Sequence, residues 1–265
     1  MQYNPVVVVI IIFIIGVVLV YYVMKNVSNK KIVVDNQSVS LDEIQQVLHE
    51  EVGFYKGLNP DEQLKFCNRV SYFLNTTRIS AEKGVQIVNA DKILVAASAT
   101  IPLFHFENWS YENLDEVLIY PGTFSEKFDT EEGDRNILGM VGDGVLGRKM
   151  ILSLSALRNG FRSGSGENTA IHEFVHLIDK ADGETDGIPE YLIPKSLIHP
   201  WLKEMHKTIS MIKRDKSDIR EYAATNEAEF LAVTSEYFFQ KPKLLKEDHP
   251  ELFELLTEIY EKKDA

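Results

Sequence analysis

The chain has 265 residues, 45% of them hydrophobic, so it is long enough for one or two domains with a sizeable core. Its 40 acidic and 28 basic residues give a net charge of -12, which argues against direct nucleic-acid binding, because phosphate contacts need clustered Lys and Arg. The single cysteine, Cys67, cannot form an internal disulfide and is expected to pack as a small apolar side chain.

Residues 6–24 form an uncharged apolar run, VVVVIIIFIIGVVLVYYVM. At about 1.5 Å per residue the run just spans a hydrocarbon core of about 30 Å, which predicts a transmembrane helix. A cleaved signal peptide is the disfavoured alternative, because residues 1–5 carry no Lys or Arg and no small-x-small cleavage site follows the run. Lys25, Lys30 and Lys31 follow it, so the positive-inside rule predicts a single-pass membrane protein with a cytoplasmic domain. The alternative places that domain on the outer side of the membrane.

The pattern beyond the apolar run predicts one folded domain. We expect an anchor at residues 1–24, a polar linker at 25–40 and the domain at 41–265. Helix-start signals and apolar spacing of three to four residues predict helices in the first half of the domain. These helices cover residues 40–51, 59–73 and 91–103.

Two strands are predicted before the centre of the domain. EVLIY at 116–120 ends at Pro121-Gly122, and the acidic, glycine-bearing stretch 125–147 is expected to form loops around a short strand or two. KMILSLSAL at 149–157 alternates enough for a second strand. An extended peptide can pair with an exposed strand edge, so this second strand is either a peptide-binding edge or an ordinary core strand.

The segment NTAIHEFVHLID, residues 168–179, holds the pattern that carries chemistry. His172 and His176 are four residues apart and therefore share one helix face, where they can bind one zinc ion, while Glu173 points beside them toward a water. Two surface histidines on an amphipathic helix, or two core histidines, are the alternatives. Asp179, one turn beyond His176, either orients a ligand imidazole or caps the helix.

A zinc site with two histidines needs a third protein ligand and an open position for water. Helices are predicted at 196–214, 225–240 and 248–261. In the second of these, Glu229 and Glu236 are seven residues apart on one face among apolar neighbours, whereas Glu227 is expected to be exposed. Spacing alone does not choose between Glu229 and Glu236.

HEFVHLIDKADGETDGIPEYL and EYAATNEAEFLAVTSEYFF, with FYKGLNPDEQLKF, ILVAASATIPL and LIYPGTF upstream, closely resemble the Mlc titration factor A family of zinc peptidases. The resemblance covers residues 50–260 and leaves the apolar run out. It implies one Zn²⁺ ion held by His172, His176 and Glu229, with Glu173 as general base. Tyr222 lies seven residues before Glu229, as in the related anthrax lethal factor catalytic domain, which implies that Tyr222 assists the oxyanion. A buried helix-end aromatic is the alternative for that tyrosine.

The sequence thus predicts an α+β protein, namely a mainly helical, gluzincin-type zincin domain with a small sheet, preceded by one transmembrane helix. The predicted function is hydrolysis of peptide bonds in a peptide or protein substrate, through a metal-activated water. The family resemblance also implies a transcriptional regulator as a partner. The alternative function is a membrane-tethered binding module that sequesters such a regulator.

Overall fold

The computed structural model describes residues 14–16, 39–82, 84–106, 110–123, 138–142, 147–162 and 166–261. The chain divides into two compact units, Met1–Val33 and Val34–Ala265. Only residues 14–16 of the first unit are described, and they are helical. The second unit contains the histidine motif and every strand of the described sheet.

The expected membrane location requires a correction. No helix in the described ranges is long and apolar enough to cross a membrane. A span needs about 20 mostly apolar residues, whereas Lys195–Ile212, the longest helix described, has 18 residues and includes three lysines and a glutamate. This finding contradicts the predicted single-pass location. The predicted anchor, residues 1–24, lies outside the described residues apart from 14–16, as does the predicted linker before residue 39.

The helices predicted in the first half are present, with shifted ends. They are α1 (Leu41–Glu51), a short α2 (Gly53–Lys56), α3 (Pro60–Thr76) and α4 (Asn89–Thr100). The spacing of Ser40 and Glu43 predicts a capping box at the start of α1. Ser40 Oγ does accept the Glu43 N–H and caps the helix, but the Glu43 carboxylate accepts from Asn89 Nδ2 and does not close the box. Asn59 and Glu62 do form the complete box at the start of α3.

Helix α4 is the central helix of the first half, and all residues from Ile93 to Thr100 are buried. It begins two residues before the predicted start, because Asp91 Oδ2 accepts the Val88 N–H and caps it. The same buried carboxylate pairs with Arg158, whose Nε lies 2.7 Å from Asp91 Oδ1. Asp91 therefore connects α4 to the segment that precedes the histidine motif.

The described residues form a four-stranded mixed sheet in the order β1-β2-β4-β3. The strands are β1 (Arg78–Ala81), β2 (Glu116–Tyr120), β3 (Gly139–Val141) and β4 (Lys149–Ser153). β1, β2 and β4 run parallel, with Val117 opposite Met150, whereas β3 pairs with β4 antiparallel. β3 therefore forms one end of this sheet.

The prediction for residues 149–157 is wrong in two respects. The strand ends at Ser153, because the Ser153 hydroxyl accepts the Ala156 N–H and opens helix α5 (Leu154–Gly160). In addition, β4 is paired on both sides and is not a peptide-binding edge. The alternative of an ordinary core strand is confirmed, since Met150, Ile151 and Leu152 are buried.

The second half is mainly helical. Its elements are α6 (Thr169–Asp179), a 3-10 helix (Lys180–Asp182), α7 (Lys195–Ile212), a second 3-10 helix (Glu221–Ala224), α8 (Glu227–Gln240), α9 (Pro242–Asp248) and α10 (Pro250–Tyr260). α6 packs against α8, α4 and β3, and the largest buried side chains include Phe174 and Phe230. The predicted class, a mainly helical α+β fold with a small sheet, is confirmed for the described residues.

Candidate metal centre

The helix that carries the histidine motif lies inside the protein core. In α6, Ala170, Ile171, Phe174 and Val175 have no measurable exposure. Asn168 caps the helix from a fully buried position, with its Oδ1 accepting the Ile171 N–H at 3.1 Å. Because this helix is buried among apolar side chains, the two motif histidines are not surface residues.

The structure brings three predicted site residues together. His172 Nε2 lies 3.1 Å from His176 Nε2 and 3.0 Å from Glu229 Oε2, and His176 Nε2 lies 3.5 Å from the same oxygen. Among the described residues, these three side chains form a group whose ligand atoms lie close enough together to bind one metal ion. Its members come from two helices, α6 and α8, separated by about fifty residues of sequence.

The spacing of these three atoms fits zinc. Ligands about 2.0–2.2 Å from a tetrahedral zinc ion are about 3.3–3.6 Å apart, close to the observed separations. Glu229 Oε2 is buried and has no hydrogen-bond partner among the described residues, although two imidazole nitrogens lie close to it. A buried carboxylate oxygen without a hydrogen bond is unfavourable unless a cation binds it. Together with the two ring nitrogens it forms a set of ligands that suits zinc.

Tertiary structure distinguishes the glutamates that spacing left open. Asn226 caps α8 by accepting the Glu229 N–H, which places Glu229 in the first turn, beside the imidazoles. The Glu236 carboxylate lies two turns further on, where Oε2 is 3.5 Å from His172 Nδ1, on the other side of that ring. The Glu227 side chain is half exposed, as expected, with Oε1 3.9 Å from His206 Nε2.

Negative charge surrounds the two imidazoles. Burial lowers the pKa of His172, but the Glu229 and Glu236 carboxylates outweigh burial and raise the pKa to about 10. Burial raises the pKa of Glu229, yet contacts with His172 and His176 bring it well below its ordinary value. The site therefore favours positive charge, as expected of a cation-binding centre.

Glu173 follows His172 in α6 and is almost completely buried, at 6% exposure. Burial raises the pKa of its carboxyl above the ordinary value, and the two histidines oppose this effect. Strand β3 lies against it: a Cβ placed on Gly139 would be 2.6 Å from both Glu173 Cγ and Oε1. Sequence reasoning missed Gly139, since the only available signal was a glycine inside a stretch expected to hold a short strand.

Tyr222 lies in the 3-10 helix that precedes α8. Its ring is 6.0 Å from that of His172, with the planes 29° apart, and the residue is 52% exposed. It is therefore not the buried helix-end aromatic of the alternative interpretation. Burial of the hydroxyl and the neighbouring Glu229 carboxylate raise the pKa of Tyr222 to about 12, so the phenol keeps its proton at neutral pH.

Asp179 does not orient a histidine. Its Oδ2 accepts the Gly187 N–H at 3.0 Å, and Oδ1 has no hydrogen-bond partner in the described part of the chain. Gly187 also accepts a hydrogen bond from Trp201 Nε1 through its carbonyl. Asp179 thus connects the end of α6 to the loop before α7.

Comparison with known proteins assigns the chain to a family. The family model described as glucose-regulated metallo-peptidase M90 matches residues 24–261. The chain belongs to this M90 family. The match includes the whole of α6 and α8, so both halves of the His172, His176 and Glu229 cluster lie within the family region.

Individual relatives agree with the M90 assignment. Mlc titration factor A of Klebsiella pneumoniae is 28% identical over 216 residues, covering 77% of this chain and 80% of the relative. Mlc titration factor A of Pectobacterium atrosepticum is 27% identical over 219 residues, with the same coverage. An uncharacterized protein of Synechocystis sp. is 26% identical over 229 residues, or 82% of each chain. The predicted resemblance to the Mlc titration factor A family is confirmed.

Proposed function

We propose that this M90 family member is a zinc-dependent peptidase in which His172, His176 and Glu229 hold one zinc ion. The observation that carries the proposal is the convergence of His172 Nε2, His176 Nε2 and Glu229 Oε2 at 3.0–3.5 Å, with Glu173 buried beside them. When bound, zinc polarises the scissile carbonyl and lowers the pKa of water from about 15.7 toward 7.

Glu173 acts as the general base in this proposal. It removes a proton from the attacking water and returns that proton to the leaving amine. Burial raises the pKa of Glu173, which moves it toward working pH and favours both proton uptake and proton release. The close approach of β3 at Gly139 leaves the carboxylate little freedom to turn away.

Tyr222 donates a hydrogen bond to the oxyanion that develops on the former carbonyl oxygen. Three features support this role: its ring lies next to His172, its hydroxyl is a proton donor at neutral pH, and it is exposed enough for a substrate to reach. A phenol placed this way stabilises charge that appears only in the transition state.

The substrate is a peptide segment in extended conformation that pairs with β3. This strand ends the described sheet and contacts α6 at Glu173, so a peptide added there lies beside the proposed base. β3 replaces residues 149–157 as the candidate peptide-binding edge.

Metal content and one isosteric variant test the proposal. The purified full chain is expected to contain one zinc ion per molecule, measured by inductively coupled plasma mass spectrometry. It should also cleave peptides in a library of quenched fluorescent substrates. Glu173→Gln should lower kcat by about 100- to 10,000-fold with zinc retained, because only proton transfer is removed. Glu229→Ala should lose the metal, whereas Glu227→Ala, a control in the same helix turn, should keep it. A zinc-free wild-type protein, or unchanged hydrolysis by Glu173→Gln, would show that the proposal is wrong.

A second candidate function is binding of a transcriptional regulator. Two of the relatives are named for titration of Mlc, which suggests a protein partner for those proteins. Binding of an Mlc-type regulator, measured by calorimetry, should survive Glu173→Gln if binding is the function. The buried Glu173 carboxylate favours the peptidase, because a binding surface gains nothing from an acidic group with 6% exposure.

A further inference from the structure

Glu236 is a buried carboxylate that the proposed reaction leaves without a role. It lies in α8 at 2% exposure, between residues that pack into the core. A buried charge is costly unless it is paired and hydrogen-bonded. Its contacts therefore indicate what it does.

Three separate segments meet at Glu236. Oε1 accepts the backbone N–H of Asn168, the residue that caps the motif helix. Oε2 accepts from Arg220 Nη2 at 2.6 Å, and the same oxygen lies 3.5 Å from His172 Nδ1. Arg220 also pairs with Glu167 at 3.2 Å and directly precedes the 3-10 helix that holds Tyr222.

The direction of the His172 ring gives this contact its meaning. Nε2 faces His176 and Glu229, so Nδ1 is the nitrogen left to carry a proton. A carboxylate that accepts a hydrogen bond from Nδ1–H favours this tautomer, fixes the plane of the ring and makes Nε2 a better metal ligand.

We propose that Glu236 is a positioning residue that orients the His172 imidazole through Nδ1. The same carboxylate connects this imidazole to Asn168 at the start of α6 and, through Arg220, to the segment that bears Tyr222. The inference rests on the proposed zinc site. A purely structural role would explain the bonds to Asn168 and Arg220 but would leave zinc affinity unaffected.

The zinc dissociation constant of the full chain, measured by competition with a chromophoric chelator, tests the proposal. Glu236→Gln should weaken zinc binding about 10- to 100-fold, the usual effect of losing a carboxylate behind a ligand histidine. Glu236→Asp should also weaken it, because the charge remains but the carboxylate withdraws from Nδ1. Glu227→Gln, the matched control in the same helix, should leave zinc affinity unchanged. Wild-type affinity in Glu236→Gln would overturn the proposal.

A measurement on the wild type keeps the test independent of variant folding. In ¹H–¹⁵N correlation spectra of the zinc-loaded wild type, the His172 Nδ1–H signal should be resolved and slow to exchange with solvent, because a hydrogen bond to the Glu236 carboxylate protects it. An Nδ1–H that exchanges too fast to be observed would overturn the proposal. A wild-type chain that binds no zinc overturns the peptidase proposal and this one together, whereas zinc binding with an unaffected Glu236→Gln overturns this one alone.

Discussion

Gly139, in strand β3, lies directly against the proposed base. A side chain there has no room, since an added Cβ would lie 2.6 Å from two Glu173 atoms. Contacts below 3.0 Å force a shift, so an alanine at this position would displace the Glu173 side chain. The position of the Glu173 side chain thus depends on the absence of a side chain on a strand that is distant in sequence.

We expect Gly139→Ala to lower kcat/KM by at least about 100-fold, because a displacement of about 1 Å in a catalytic group has an effect of that size. Zinc content should stay at the wild-type level, since the three atoms nearest to an added Cβ all belong to Glu173. Peptide hydrolysis and metal analysis on the same sample check this. Gly53→Ala, at an exposed helical glycine with open space around it, is the control and should retain full activity. Equal activity in the two variants would contradict a positioning effect of β3.

At the scale of elements, the start of α6 determines where the motif lies. Asn168 makes two side-chain bonds: Oδ1 accepts the Ile171 N–H, and Nδ2 donates to Gly160 O at 3.3 Å. Gly160 must remain small, because a Cβ there would be 2.8 Å from Asn168 Cγ. The end of α5 is thereby joined to the cap of the motif helix.

Asn168→Ala is expected to lower the free energy of unfolding by about 2–3 kcal/mol, combining a lost cap with buried groups left unsatisfied. Ser40→Ala removes a cap of the same kind from the exposed start of α1 and should cost about 1 kcal/mol. Urea unfolding monitored by circular dichroism gives both values. If the two substitutions lower the free energy of unfolding by the same amount, the burial of Asn168 contributes no stability beyond that of an exposed cap.

Element boundaries were predicted well where the signal is local. Asn59 and Glu62 form a capping box where a helix start was predicted, and β2 has the expected bounds, 116–120. The strand at 149–157 was extended too far, because the apolar alternation continues past Ser153 into a helix that this serine caps. Alternation describes which residues are buried, and a short buried helix shares that property with a strand.

At the scale of the whole molecule, the segment after α7 is held to the C-terminal helices by Asp218. Its carboxylate accepts from Tyr237 Oη in α8, and Oδ1 lies 2.7 Å from His249 Nε2 at the start of α10. Burial raises the pKa of Asp218, but these two partners outweigh burial and lower it below its ordinary value. The ionised carboxylate therefore stabilises the fold.

A depressed folded-state pKa stabilises a protein above the unfolded pKa of about 3.9, and this stability is lost as pH falls through the folded value. We expect the wild type to lose unfolding free energy as pH falls below about 4, and Asp218→Asn to be less stable at pH 7 with a weaker loss on acidification. Urea midpoints from about pH 7 to about pH 2 check this. Asp215→Asn, an exposed aspartate nearby, should follow the wild type. An unchanged acid profile in Asp218→Asn would contradict the role of this carboxylate.

The sequence by itself determined the site helix and its pair of potential metal ligands, because two histidines four residues apart share a face of any α-helix and the cap at Asn168 is local. It also predicted the mainly helical α+β class and the family. Only the tertiary structure decided that the Glu229 carboxylate meets both imidazoles, that Glu236 lies behind His172, and that β3 is the strand beside Glu173. These relations join segments that are far apart in sequence, and helical or strand periodicity carries no information on how such segments pack together.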